Sequence, residues 1–402
     1  MLLEALTLQL GYNATLVTLG ATLLGFAAGA SGSFLFLRKR ALVSDAISHA
    51  TLPGIGLAFL LLVALGGDGR NLLVLLAGSA FSAWIGLLVI QWLTQHTRLK
   101  EDAAIGAVLS VFFGAGVVLF TIIQTLSTGR QAGLQDFLLG ATAGMLYADA
   151  LTILVGGGLA VITVLLFKRP MTLVAFDAAF ASANGYPVRL IDLGIMLLVL
   201  AVTIVGLKIV GLILIVALLI IPPATARLWS NQVSHLIWLA ALFGGIAGFV
   251  GSAISATAPA LPTGPIIVLS AFSLFVFSLL FSPLRGMVAQ SSIRRAQHHR
   301  THLRQGLLAR LNQQPLHDRT TARLLEKQGL IDADHSLTEQ GHAQALQLAT
   351  DEARWRYLRE YQASHPAVGL YDGKSRLDEL IDEQELALID QQRHHQERSA
   401  HG

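Results

Sequence analysis

Two side chains set inside a long apolar stretch carry the chemistry that this sequence offers most openly. In Val43-Ser44-Asp45-Ala46-Ile47-Ser48-His49, the Asp45 carboxylate and the His49 imidazole stand four residues apart, so on a helix they share one face about one turn apart. An ionisable group in hydrocarbon is costly unless it meets a partner or a water-filled path, so a pair placed there calls for a reason. Carboxylate plus imidazole makes a workable half-site for a divalent ion, suits zinc, manganese and iron alike, and has the Ser48 hydroxyl beside it. A plainer alternative makes Asp45 the cap of a helix and His49 a histidine bonded to a neighbouring helix; spacing alone leaves both open. Cysteine is absent, which removes disulfides and thiolate sites and leaves oxygen and imidazole as the available metal ligands. Ten of the 13 histidines fall between His298 and His401, while His96 and His235 sit near the ends of apolar runs, so His49 stands out.

Other positions shape the backbone. Pro53, Pro222 and Pro223 lie inside apolar runs, where each breaks the helical hydrogen-bond ladder and forces a kink that can serve gating or plain architecture. The moderately polar stretch from Phe176 to Pro187, with Asp177 ahead of a short amphipathic turn closing at Asn184-Gly185, reads as a short helix at the membrane surface. No Gly-x-x-x-x-Gly-Lys-Ser/Thr phosphate loop occurs, so ATP hydrolysis by that route needs another polypeptide. A zinc protease would show His-Glu-x-x-His, which is missing, and a secondary transporter would need more charges in its spans and repeated halves.

The elements that must position these residues are membrane helices. A composition of 53% hydrophobic and 13% charged residues over 402 lies outside the soluble globular range. Apolar runs long enough to cross a bilayer occur near 14–37, 46–66, 71–93, 103–125, 150–167, 189–207, 209–226, 233–253 and 264–284, giving eight or nine spans. The ambiguity lies at 189–226, where Gly206, Lys208 and Gly211 suggest two short helices meeting at a bend. Gly25/Gly29 and Gly244/Gly248 have the small-x-x-x-small spacing of close helix packing. Basic residues cluster at Arg38-Lys39-Arg40, Arg98 with Lys100, Lys168-Arg169 with Arg189, and Arg285, Arg294 and Arg295, so these loops and the C-terminal tail are expected in the cytoplasm. Gly66–Arg70 and Ser127–Gln135 then face outward.

Past residue 288 the character changes. Residues 289–302 read as a basic linker suited to anionic lipid, and 303–402 as a small winged-helix-like unit with a polar tail. Helices are expected at 303–312 and 317–328, with a wing at Gly329–Gly341. The apolar residues Leu307, Leu308, Leu311, Leu324, Leu325, Leu330, Ile331 and Leu337 supply its core.

The segment VSDAISHATLPGIGLAFLL (43–61) closely resembles the signature of the manganese/zinc/iron permeases of the ABC importers, the ABC-3 family. EDAAIGAVLSVFFGAGVVL (101–119), QDFLLGATAGM (135–145), FDAAFASANGYPV (176–188), VGLKIVGLILIVALLIIPPATARLW (205–229) and LPTGPIIVLSAF (261–272) resemble further blocks in the family's order, so the likeness spans residues 14–285. It implies an all-α permease fold similar to the cobalamin and siderophore permeases and a transport role for divalent manganese, zinc or iron, with no permanently bound cofactor. Asp45, His49 and Ser48 would meet the metal, and Asp177, Ala181, Gly185 and Pro187 would seat on an ATPase subunit. Ala178 and Ala179 stand where relatives carry acids, and Ala260 where many carry aspartate. Further implied partners are an extracytoplasmic metal-binding protein and a second permease copy or paralogue, in the inner membrane of a prokaryote. LEKQGLIDADHSLTEQGHAQAL (325–346) resembles metal-responsive repressors, which leaves a membrane-tethered regulator as the alternative function; nucleic acid is not an expected partner.

Overall fold

In the computed structural model the described residues are 4, 7–9, 11–67, 71–125, 145–258, 261–316, 318–332, 334–363, 365–370 and 377–400. Residues 127–135, expected as an outward loop, most of the block 135–145, and Ala260 lie outside them. The chain divides into two compact units, Met1–Ala289 and Gln290–Gly402.

The first unit is a bundle of α1 (Tyr12–Leu37), α2 (Ala41–Ala64), α3 (Leu72–His96), α4 (Glu101–Thr125), α5 (Tyr147–Phe176), the short α6 (Ala178–Ala183), α7 (Val188–Trp229), α8 (Val233–Ser255) and α9 (Thr263–Phe281). Among the described residues, eight helices are long and apolar enough to cross a membrane, with Ile213–Trp229 as a shorter apolar one. The chain is therefore a multi-pass, all-α membrane protein. The uncertain stretch at 189–226 is α7, broken at Gly211, where φ is 77° and ψ is 171°. Only glycine adopts that backbone without strain. The empty side of Gly206 lets the two halves come together: a Cβ there would lie 2.6 Å from Ile215 Cδ1.

In a bilayer, helices associate by close packing and not by leaving water, so small residues decide which pairs meet. Gly25 and Gly29 of α1 face Gly244 and Ala240 of α8, and Gly248 of α8 faces Ala21. A Cβ at Gly25 would sit 2.2 Å from the Gly244 carbonyl oxygen, and one at Gly248 would sit 2.3 Å from that of Ala21. Two backbones are thus in direct contact along this crossing. Around it lies a core that includes Leu24, Phe34, Ile47, Leu87, Ile153 and Ile215.

The second unit contains α10 (Met287–Leu311, beginning just before it), α11 (Arg319–Lys327), α12 (Glu339–Tyr361), α13 (Pro366–Leu370), a 3-10 turn at Leu377–Glu379 and α14 (Glu383–Ala400). Residues 289–302, expected as a linker, lie inside α10, because Ala, Gln and Arg are good helix formers and no Pro or Gly interrupts them. An antiparallel bridge joins Ile331 to Leu337 after Gly329, whose φ is 68°. Leu307, Leu325, Leu330 and Ile331 are buried there, with Leu311 and Leu337 packed against them. The polar tail is more ordered than its composition suggests. Leu358, Leu377, Ile381, Leu386 and Ile389 form a second small core. Arg354 hydrogen-bonds Asp390 through Nε at 3.0 Å and Nη2 at 2.5 Å, which holds the Asp390 carboxyl below the usual carboxylate range.

Candidate functional site

Asp45 and His49 lie near the start of α2. Arg40 precedes the first helical residue, so Asp45 is one turn inside the helix and does not cap it. Its Oδ1 lies 3.4 Å from His49 Nε2. Ligand bonds of about 2.1 Å at a tetrahedral angle set two ligand atoms about 3.4 Å apart, so the separation matches that of two ligands on one ion. The imidazole packs edge-on against Phe113 of α4, with ring centroids 4.9 Å apart, and its Nδ1 is buried without a hydrogen-bond partner among the described residues. Phe113 carries no polar atom and was not suggested by the sequence. It fixes the ring from the side, and the His49 side chain keeps 20% of its surface open and Asp45 36%. Among the described residues no group of three or more His, Asp, Glu or Cys is gathered that could hold a metal.

Ser48 is not brought to this pair. Its hydroxyl is fully buried and donates to the Ser44 carbonyl at 2.8 Å, back along its own helix. Pro53 lies one turn beyond His49, in the middle of α2. Lacking an N–H, it cannot bond the His49 carbonyl, which leaves an oxygen beside the imidazole free of its usual helical donor. Pro222 and Pro223 act likewise on Leu218 and Leu219 in the second half of α7. That region fits closely against α1, since a Cβ at Gly32 would lie 2.1 Å from the Leu219 carbonyl oxygen.

The second sequence-derived group forms one compact feature. Asp177 caps α6 by accepting from the Phe180 amide at 2.8 Å, and Ala181 is fully buried. Gly185 ends the helix at φ 80°, with the Tyr186 amide returning to the Ala181 carbonyl. Pro187 then precedes the first residue of α7. Phe180 and Tyr186 are left exposed.

A third group lay outside the sequence reading. Arg40 donates through Nη1 to both oxygens of Asp192 at 3.0 and 2.8 Å, and its Nε lies 2.5 Å from Glu101 Oε1. Arg38 Nη1 also lies 2.5 Å from Asp192, as an ion contact without hydrogen-bond direction. Burial lowers the Arg38 pKa, and the nearby Asp192 opposes this. The sequence marked Arg38 and Arg40 only as loop charges, and Asp192, an acid near the mouth of an apolar run, was passed over.

Residues 12–282 match the model of the ABC 3 transport family. Over 309 residues the chain is 40% identical to the manganese transport system membrane protein MntC of Bacillus subtilis, covering 76% of this chain and 69% of that one. It is 39% identical over 279 residues to the zinc transport system membrane protein TroC of Treponema pallidum, covering 69% and 92%. Among solved structures it resembles PsaBC from Streptococcus pneumoniae in complex with Fab, at 30% identity and a TM-score of 0.61, covering 71% of this chain and 98% of that one. A bundle of apolar helices, a carboxylate–imidazole pair near the start of one of them and a family match over most of the chain converge, and the protein is a member of the ABC 3 transport family, a metal-importing ABC permease.

Proposed function

We propose that this permease carries manganese or zinc, with iron as a further candidate, and that Asp45 and His49 line the path. One observation carries the reading: a carboxylate and an imidazole 3.4 Å apart near the start of an apolar helix, one imidazole nitrogen buried without a partner. The relatives named for manganese and for zinc support either ion, and oxygen and nitrogen ligands bind both.

Two ligands do not complete a shell. Water, the His49 carbonyl left free by Pro53, or the same pair from a second copy would supply the rest. The second copy is favoured because the pair is partly open beside α4, which among the long apolar helices keeps the smallest share of its residues buried. A carboxylate facing lipid would be costly, and a partner subunit covering this face removes that cost.

The basic loops support a cytoplasmic position for α6, the α1–α2 turn and the C-terminal unit, in what would be a prokaryotic inner membrane. There the exposed Phe180 and Tyr186 of the Asp177–Pro187 segment would seat on an ATPase subunit, whose closure drives alternating access. An extracytoplasmic metal-binding protein would deliver the ion from the other face. The C-terminal unit, read as a winged helix from α10, α11, the Ile331–Leu337 bridge and α12, would dock or tune the transporter. The test is manganese and zinc uptake by proteoliposomes holding the permease with its ATPase. Asp45→Asn and His49→Ala should each lower uptake at least about tenfold with normal assembly. Ser48→Ala should leave it unchanged, and full uptake by both site variants would refute the assignment.

A further inference from the structure

At the end of the bundle that carries the basic loops, three stretches of chain far apart in sequence meet through charge. Lys39, at φ 59°, turns the chain between α1 and α2, and it is exposed while Arg38 and Arg40 on either side are mostly buried. Their guanidinium groups converge on Asp192, one turn into α7, and Arg40 also grips Glu101, the first residue of α4. The side chains of Arg38, Arg40 and Asp192 are each less than a fifth exposed, and two cations face two carboxylates. Ion pairs held this far from water, with one guanidinium bridging two carboxylates through separate nitrogens, Nη1 on Asp192 and Nε on Glu101, fix the relative position of what they join.

What they join matters. Asp192 lies five residues beyond Pro187, at the start of the helix that the α6 segment leads into. Arg40 immediately precedes α2, five residues before Asp45, or about 7.5 Å along a helix axis. Between α6 and α7 the turn is hydrogen-bonded: Gly185, at φ 80°, donates its amide to the Ser182 carbonyl at 3.0 Å, and the Tyr186 amide donates to that of Ala181 at 3.1 Å. A displacement of α6 therefore reaches α7 at Asp192, and through Arg40 it reaches the turn of α2 that holds the carboxylate–imidazole pair. Glu101 adds α4, whose Phe113 braces the His49 ring.

We infer that Arg40 and Asp192 are positioning residues that couple the motion of the α6 segment to the metal pair on α2, with Arg38 and Glu101 completing the clasp. This rests on the reading of Asp45 and His49 as the metal site. The clasp touches no transported ion. It acts by holding two helix starts at a fixed separation, so its loss should uncouple the motor from transport more than it unfolds the bundle.

The experiment uses the permease–ATPase complex in proteoliposomes with manganous ion, measuring ATP hydrolysis and ion uptake on the same sample. Asp192→Asn and Arg40→Gln should assemble and hydrolyse ATP within about twofold of the parent, while ions moved per ATP fall about tenfold. The charge-exchanged pair Arg40→Asp with Asp192→Arg should recover much of the lost ratio. If the single variants do not reach the membrane, Arg40→Lys, which keeps the charge and loses the second nitrogen that bridges to Glu101, carries the same comparison. An unchanged ratio of uptake to hydrolysis in these variants overturns the clasp, whether both rates are normal or both fall together. Asp45→Asn is run in parallel. Its loss of uptake beside an unchanged ratio in Asp192→Asn overturns the clasp alone, whereas normal uptake by Asp45→Asn overturns the metal-site reading and the clasp with it.

Discussion

At the scale of single residues, spacing and environment made different contributions. The i to i+4 relation of Asp45 and His49 follows from helical geometry, but the orphaned Nδ1 and the Phe113 ring edge belong to the packed bundle. Ser48 shows the limit of adjacency: one residue from His49 is about 100° around the helix, and there its hydroxyl bonds its own backbone. Gly185 permits a sharp prediction. Its surroundings are empty, so substitution meets no clash and the cost lies only in the left-handed backbone. Gly185→Val should therefore lower metal uptake per ATP and cost about 1–2 kcal/mol locally, while Gly185→Asn, which tolerates that conformation, should couple nearly normally. Equal uptake-to-hydrolysis ratios in the two variants would contradict this.

At the scale of elements, the α1–α8 crossing is where substitution should matter most. The Gly25 and Gly244 positions face backbone carbonyl oxygens about two ångströms from any added Cβ, and backbone cannot turn aside as a side chain can. Gly25→Leu should separate the helices and sharply reduce assembled protein in the membrane, and Gly244→Ala should do so less severely. Gly106 of α4 is the matched control, because nothing lies within 4 Å of its added Cβ. Gly106→Ala should leave abundance and thermal stability in detergent equal to or slightly above the parent. Comparable losses at Gly106 and Gly25 would show that the crossing is not a close backbone contact.

At the scale of the whole molecule, the two units invite separate tests. Stopping the chain after Gln290 should give a permease that inserts, pairs and binds its ATPase, with altered control of uptake. Failure of that truncated chain to assemble would make the second unit an architectural part. The second unit should also have an acid limit of its own. Asp318 caps α11 with bonds from Thr320 and Thr321, which hold its carboxyl down at about 2, and Arg354 holds Asp390 low as well. Both folded values lie below the ordinary carboxylate range. The contribution of Asp318 is thus complete above about pH 4 and lost as pH falls toward 2, and that of Asp390 is lost in acid in the same direction. Tryptophan fluorescence of a Trp355-only background, followed from pH 5 to about 2, should show unfolding at higher pH in Asp318→Asn than in the parent; coincident curves would count against the cap.

The sequence by itself determined the class of this protein, most helix positions and the pairing of Asp45 with His49, because hydrophobic run length, helical period and missing cysteines are local properties read along one chain. It also marked Gly211 as a point of bending and Gly25, Gly29, Gly244 and Gly248 as packing surfaces, since glycine's lack of a Cβ is a local fact with few uses inside a span. Which glycine faces which carbonyl was not legible, nor was the meeting of Arg38 and Arg40 with Asp192 and Glu101. Those residues lie 61 or more positions apart, and each had an adequate local explanation: basic residues at a loop, acids at a helix start. Only the tertiary structure decided that opposite charges from three helix ends share one site, because an ion pair forms wherever the backbone brings its ends together and leaves no period in the sequence.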